Sequence, residues 1–154
     1  MADNFVANAG SGGSTFAADD IASVLYPRVK ISQGLDGIVQ DGWTPARLLS
    51  AASTNATSLK ASAGQLGFIY ATNLNAAVRY LKLYNKASSP TVGTDTPVAT
   101  LPIPASTTGA GFIIGIPGGL NFTTGIAYAV TTGVADADTG AVAANEIIIA
   151  FGYC

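Results

Sequence analysis

Residues 65–72, QLGFIYAT, and residues 146–153, EIIIAFGY, decide the fold. In the second stretch Ile147, Ile149, Phe151 and Tyr153 alternate with Glu146, Ile148, Ala150 and Gly152, giving one face of large side chains and one of small. In the first, alternation places Leu66, Phe68 and Tyr70 on one side. A period of two marks a half-buried β-strand. Two sheets that turn their large faces towards each other across about 10 Å make a core, and Phe68, Leu81, Leu83, Ile114, Ile126, Ile147, Ile149 and Phe151 are the expected core residues.

Working outward, short strands separated by turn clusters are expected at 46–52, 57–61, 65–72, 78–85, 98–103, 111–116, 126–132 and 146–153. This is the pattern of an all-β antiparallel sandwich of about eight strands, jelly-roll-like in kind. Alanine is abundant, but the alanine-rich stretch 135–144 lacks apolar residues at three- and four-residue spacing and reads as a loop with at most one helical turn. The prolines at 90, 97, 102, 104 and 117 suit edges and loops.

Ahead of the sandwich, residues 1–18 are mainly glycine, serine, alanine and asparagine. Their three large apolar side chains, Phe5, Val6 and Phe16, are too few to bury against one another. An extended arm is expected, with Phe5 and Phe16 docking into a neighbour. Asp19, Asp20 and residues 21–23 are read as one helical turn. Residues 24–32, VLYPRVKIS, alternate as a strand that Pro27 places at an edge or a bulge. The turn at 34–37 and a return strand at 38–40 complete a small β-hairpin. Trp43, Thr44 and Pro45 form the hinge, the indole covering the hairpin base, so the expected division is a docking arm and hairpin at 1–45 and a sandwich at 46–154. Tyr26 and Arg28 on the hairpin join Phe5, Phe16 and Trp43 as candidate partner-docking residues.

The chain has 154 residues, of which 49% are hydrophobic and only 10% charged, against roughly 25% charged in an average soluble domain. So few ionised side chains leave much of the surface to meet other protein, and a homo-oligomer is expected. All seven cations precede residue 87, with no clustered basic face, which argues against nucleic acid. Arg79, Lys82 and Lys86 read as a solvated strand and turn. The longest apolar stretches are too short to span a bilayer, and no signal segment is seen at the start, so a cytoplasmic beginning is expected.

Histidine is absent, which removes the commonest general base and metal ligand. The single cysteine, Cys154, allows no intrachain disulfide. Asp136 and Asp138 are weighed as calcium ligands, but the loop lacks the spaced acids of an EF-hand and reads as a solvated turn. Asp95, Asp136, Asp138 and Glu146 offer no warranted glycosidase pair. The glycine-rich pieces 10–13 and 115–119 match neither phosphate-binding fingerprint, and the triplets at Asn55 and Asn121 carry no weight without a secretory signal. No catalytic, cofactor or metal residue is assigned.

The segment 15–37, TFAADDIASVLYPRVKISQGLDG, resembles one recurrent in virion structural proteins of tailed bacteriophages. Residues 59–153 resemble the β-sandwich that often follows, through GFIYATN at 67–73, RYLKLYN at 79–85, LPIP at 101–104, GIA at 125–127 and the final FGY at 151–153. The resemblance implies a non-enzymatic virion component that assembles in bacterial cytoplasm. Its partners would be the major capsid protein or other virion proteins, and its projecting module would be a trimer. A capsid decoration or cement protein, held by its N-terminal region, is the first expectation. A tail- or fibre-associated receptor or glycan-binding module, using Tyr70, Tyr80, Tyr84 or Tyr128 to stack on sugars, is the alternative.

Overall fold

The computed structural model describes residues 42–154 in full and, ahead of them, the backbone of three strands: β1 (Asn4–Val6), β2 (Thr15–Ile21) and β3 (Val24–Pro27). The chain divides into two compact units, Met1–Gln40 and Asp41–Cys154. Trp43, Thr44 and Pro45 therefore fall in the second unit. No helix occurs among the described residues.

In the first unit β1, β2 and β3 form an antiparallel sheet in that order. Residues 4–6 and 15–18, expected within an extended arm, are hydrogen-bonded strand: Asn4 pairs with Ala17, Phe5 with Phe16 and Val6 with Thr15. The helical turn expected at Asp19 is likewise replaced by strand, because Asp19 pairs with Tyr26 and Asp20 with Leu25 across to β3. A residue held in that ladder keeps extended backbone and has no partner four residues back. Pro27 ends β3 at the edge of this sheet, where its missing donor breaks no ladder. Arg28 and the expected return strand at 38–40 lie outside the described residues.

The second unit holds two antiparallel four-stranded sheets. One has the order β5 (Thr57–Lys60), β10 (Ile126–Thr131), β7 (Arg79–Asn85), β8 (Ala99–Ile103). The other runs β4 (Thr44–Leu49), β11 (Ile147–Tyr153), β6 (Gly64–Asn73), β9 (Ala110–Phe122). The strands fall close to where alternation and turn clusters place them. The main departure is β9, which continues through Pro117, a position open to proline because β9 is an edge.

The two sheets enclose one core. Leu48, Leu66, Ile69, Ile147, Ile149 and Phe151 from the second pack with Leu81, Leu83, Ile103, Ile126 and Val130 from the first. The Tyr128 and Phe151 rings meet with centroids 4.8 Å apart. Each such buried side chain contributes about 2 kcal/mol relative to exposure.

Two expected core residues are corrected. Phe68 is only half-buried, because Leu66 pairs with Tyr153 and Phe68 with Gly152, so that Gly67 is one extra residue against β11 and reverses the alternation. Beyond it Ile69 and Ala71 point inward with Leu66, while Phe68 and Tyr70 turn outward. Ile114 is half-buried on the edge strand β9.

Candidate docking surface

The sheet containing β5, β10, β7 and β8 is covered on its outer side by the chain's own loops. Tyr84, Ala127 and Ala129 lie outward from the core and are buried beneath Ala56 and Val92. Lys82, read from sequence as part of a solvated strand, is wholly buried. Its ammonium donates to the main-chain carbonyls of Ala135 at 2.6 Å, Asp138 at 3.2 Å and Asp136 at 3.4 Å. Those carbonyls offer the hard-oxygen surroundings that a cation seeks, and the lysine side chain supplies the cation.

The loop that closes over Lys82 is tied by Asp138, whose Oδ1 accepts from Gly133 N and Gly140 N, each at 3.0 Å. Asp138 is thus half-buried in a hydrogen-bonded loop, in place of the solvated turn expected there, while Asp136 remains exposed. No cluster of metal-ligating side chains occurs among the described residues.

The remaining acids serve structure. Glu146 Oε1 meets Arg79 Nε at 2.7 Å and its Oε2 accepts from Asn75 Nδ2 at 2.7 Å. Burial works against ionisation of Glu146, yet hydrogen bonds from Arg79, the Ala143 main chain and Asn75 hold its carboxyl below the ordinary value of 4.5. Asp95 pairs with Lys86 and accepts from Thr91 N at 2.6 Å, and these contacts lower its pKa in the same way. Asn55 turns its amide onto its own loop, accepting from Ala51 N at 2.8 Å.

The outer side of the sheet containing β4, β11, β6 and β9 is different in character. Ile147, Ile149 and Phe151 point into the core, so Ile148, Ala150 and Gly152 point out. Register carries that side across the sheet: Leu49, Ile148 and Thr72 form one row, and Arg47, Ala150, Tyr70 and Ile113 the next. Ile113 is 76% exposed, Leu49 43% and Tyr70 40%. The Tyr70 hydroxyl accepts from Thr72 Oγ1 at 2.6 Å beside a shallow depression bordered by Leu74, Thr108 and Phe112. No loop of the second unit is packed over these side chains as Ala56 and Val92 are over Tyr84.

Two aromatic rings on this side lie against glycines. The Trp43 indole stands where a Cβ on Gly67 would project, and the Phe68 ring where one on Gly152 would. Both glycines adjoin register shifts in the ladder, so each bulge leaves a gap that a ring fills. Trp43, expected to cover the hairpin base, is placed by this contact on the sandwich strand β6.

Of the sequence-derived docking residues, Phe5 and Phe16 are brought opposite each other in the β1–β2 ladder, and Tyr26 lies opposite Asp19 on β3. Trp43 sits in the second unit and Arg28 is outside the described residues. Of the four tyrosines weighed for sugar stacking, Tyr84 and Tyr128 are buried, Tyr80 is half-buried and Tyr70 alone is exposed. Sequence reasoning missed the bare outer sheet face. The signal was present in Ile148 and Ile113, apolar residues on the strand side opposite the core. No family model, curated protein or solved structure matches this chain.

Proposed function

We propose that this chain is a bacteriophage virion structural protein, a capsid decoration or cement protein that docks on the particle through its N-terminal unit and self-associates, a trimer being the expected form. One observation carries the reading: a charge-poor domain leaves Leu49, Tyr70 and Ile113 exposed on one sheet side that holds a single ionised residue, Arg47, while Glu146, Asp138 and the buried Lys82 are engaged in holding its own structure. Such a surface calls for protein neighbours rather than a small substrate.

Strand order adds support. Counted from β4 as first to β11 as eighth, the sheets read 1-8-3-6 and 2-7-4-5, which favours the jelly-roll reading, an arrangement that viral capsid and lectin domains use. The likeness of residues 15–37 to tailed-phage structural proteins points the same way. Many weak contacts repeated over a lattice give avidity without any single strong site.

The test is where labelled antibody lands on intact particles, and how particles lacking the chain withstand heat. Head labelling and loss of heat resistance are the expected results. Labelling confined to the tail, or unchanged capsid stability, overturns the reading. Deleting residues 1–18, which removes β1 and the start of β2, should abolish attachment while the second unit stays folded. The tail-associated glycan reading rests on one exposed ring, Tyr70, and a glycan array without signal would remove it.

A further inference from the structure

We infer that the outer side of the β4-β11-β6-β9 sheet is the surface on which a second copy of this chain packs. This deepens the self-association within the function proposed above, and its test uses purified protein, so its failure leaves particle attachment untouched.

The two sides of the sandwich are treated differently by the chain itself. Over β5-β10-β7-β8, side chains as polar as Lys82 and Tyr84 are buried by folded-back loops. Over β4-β11-β6-β9, Leu49, Ile113 and Tyr70 remain exposed beside Ile148 and Ala150. A contiguous apolar patch of this kind marks an interaction site in a soluble protein.

Charge identifies the partner. The two rows described above hold one ionised side chain, Arg47, which has no ion pair among the described residues. A polyanion would find one cation to meet, and a strongly charged protein surface would lose hydration without gaining pairs. The matching surface is itself poor in charge and offers one acid. This chain fits: it is 10% charged, and Asp136 is exposed with no ion pair among the described residues. Arg47 and Asp136 belong to different surfaces, so their meeting makes a heterologous contact, the kind from which closed rings are built.

The experiment is sedimentation of the full chain and of Ile113→Lys across a concentration series, with circular dichroism and thermal melting to check the fold. Ile113 is exposed, so lysine there is accommodated in the free subunit, while an unpaired ammonium inside the contact weakens it by about 100-fold or more. The expected result is a multimeric wild type and a folded, dissociated variant, with Ser62→Lys, on the exposed β5–β6 turn, still multimeric. A wild type that is monomeric at about 100 µM, a concentration at which even weak specific contacts form, overturns the inference. So does a variant that stays multimeric.

Should Ile113→Lys fail to fold, Leu49→Lys on the opposite edge strand is judged by the same outcomes. Hydroxyl-radical labelling of Tyr70 in the wild type then decides independently. Protection that appears with rising concentration supports the contact; labelling that does not change with concentration overturns it.

Discussion

Lys82 Nζ and the carbonyl oxygen of Ala135 lie 2.6 Å apart across the outer side of a sheet, joining β7 to the loop that follows β10. The lysine is fully buried, and its other two acceptors, the carbonyls of Asp136 and Asp138, are also neutral main chain. The charge is thus satisfied by dipoles, and Asp138 spends its carboxylate on the amides of Gly133 and Gly140. Loop and ammonium hold each other in place.

Replacing Lys82 with methionine keeps the aliphatic volume and removes the donors. Three carbonyls lose a charged partner, each bond contributing about 1.5 to 3 kcal/mol, while the several-kcal/mol cost of burying the ammonium is relieved, so a net loss of about 2 to 3 kcal/mol is expected from urea unfolding. Hydrogen exchange should quicken at the Gly133 and Gly140 amides, which Asp138 holds. Unchanged exchange there would mean the loop closes without the ammonium.

Glu146 sets an acid limit on stability. Its folded pKa lies below its unfolded one, so its contribution is complete above the unfolded value and is lost as pH falls through the folded value. Melting temperature should drop steeply below about pH 4.5, the ordinary glutamate range, and Glu146→Gln should flatten that descent. Removing the partner instead, by Arg79→Ala, leaves a mostly buried carboxylate unpaired and costs about 3 kcal/mol at neutral pH. A melting curve against pH with the same slope in wild type and Glu146→Gln would contradict this account.

Tyr84 gives a change of opposite sign. Its hydroxyl is buried and has no hydrogen-bond partner among the described residues, and burial, with the Asp95 and Asp136 carboxylates, pushes its pKa up. Tyr84→Phe keeps the ring against Ala127 and Ala129 and removes the desolvated oxygen. Stability equal to wild type, or higher by up to about 1 kcal/mol, is expected in urea unfolding. A clear loss would show that the hydroxyl is engaged after all.

The sheets were legible because residues 147–153 alternate cleanly, and because prolines and glycine clusters punctuate the rest. Phe68 was not legible. Gly67 marks a bulge, but which side the following residues face depends on how β11 pairs with β6, a contact far along the chain. Lys82 was opaque for a related reason: in RYLKLYN it occupies the expected outward position and does point outward, yet a loop more than fifty residues later covers it. The candidate surface was half visible. Ile148 and Ile113 break the large-in, small-out rule, but an apolar outward residue looks the same whether a loop or a neighbour covers it. Phe5 and Phe16 stood out singly, and their pairing across β1 and β2 needed the strand that the glycine-rich composition concealed.

The glycines beneath the aromatic rings allow two closely matched substitutions to be told apart. Gly67→Ala sets a methyl group where the Trp43 indole lies, and Gly152→Ala sets one where the Phe68 ring lies. Either ring must swing towards solvent or the strand must shift, and overpacking of this kind costs about 1 to 3 kcal/mol. Trp43 is the only tryptophan, so its emission reports on one of the two sites alone. Gly67→Ala should redden and weaken that emission as the indole leaves its contact. Gly152→Ala should lower the melting temperature by a similar amount with the emission maximum unmoved. Were Gly67→Ala to leave the emission unchanged while destabilising the fold, the strand would be yielding and the indole staying; were neither property to change, Trp43 would not rest on Gly67 at all.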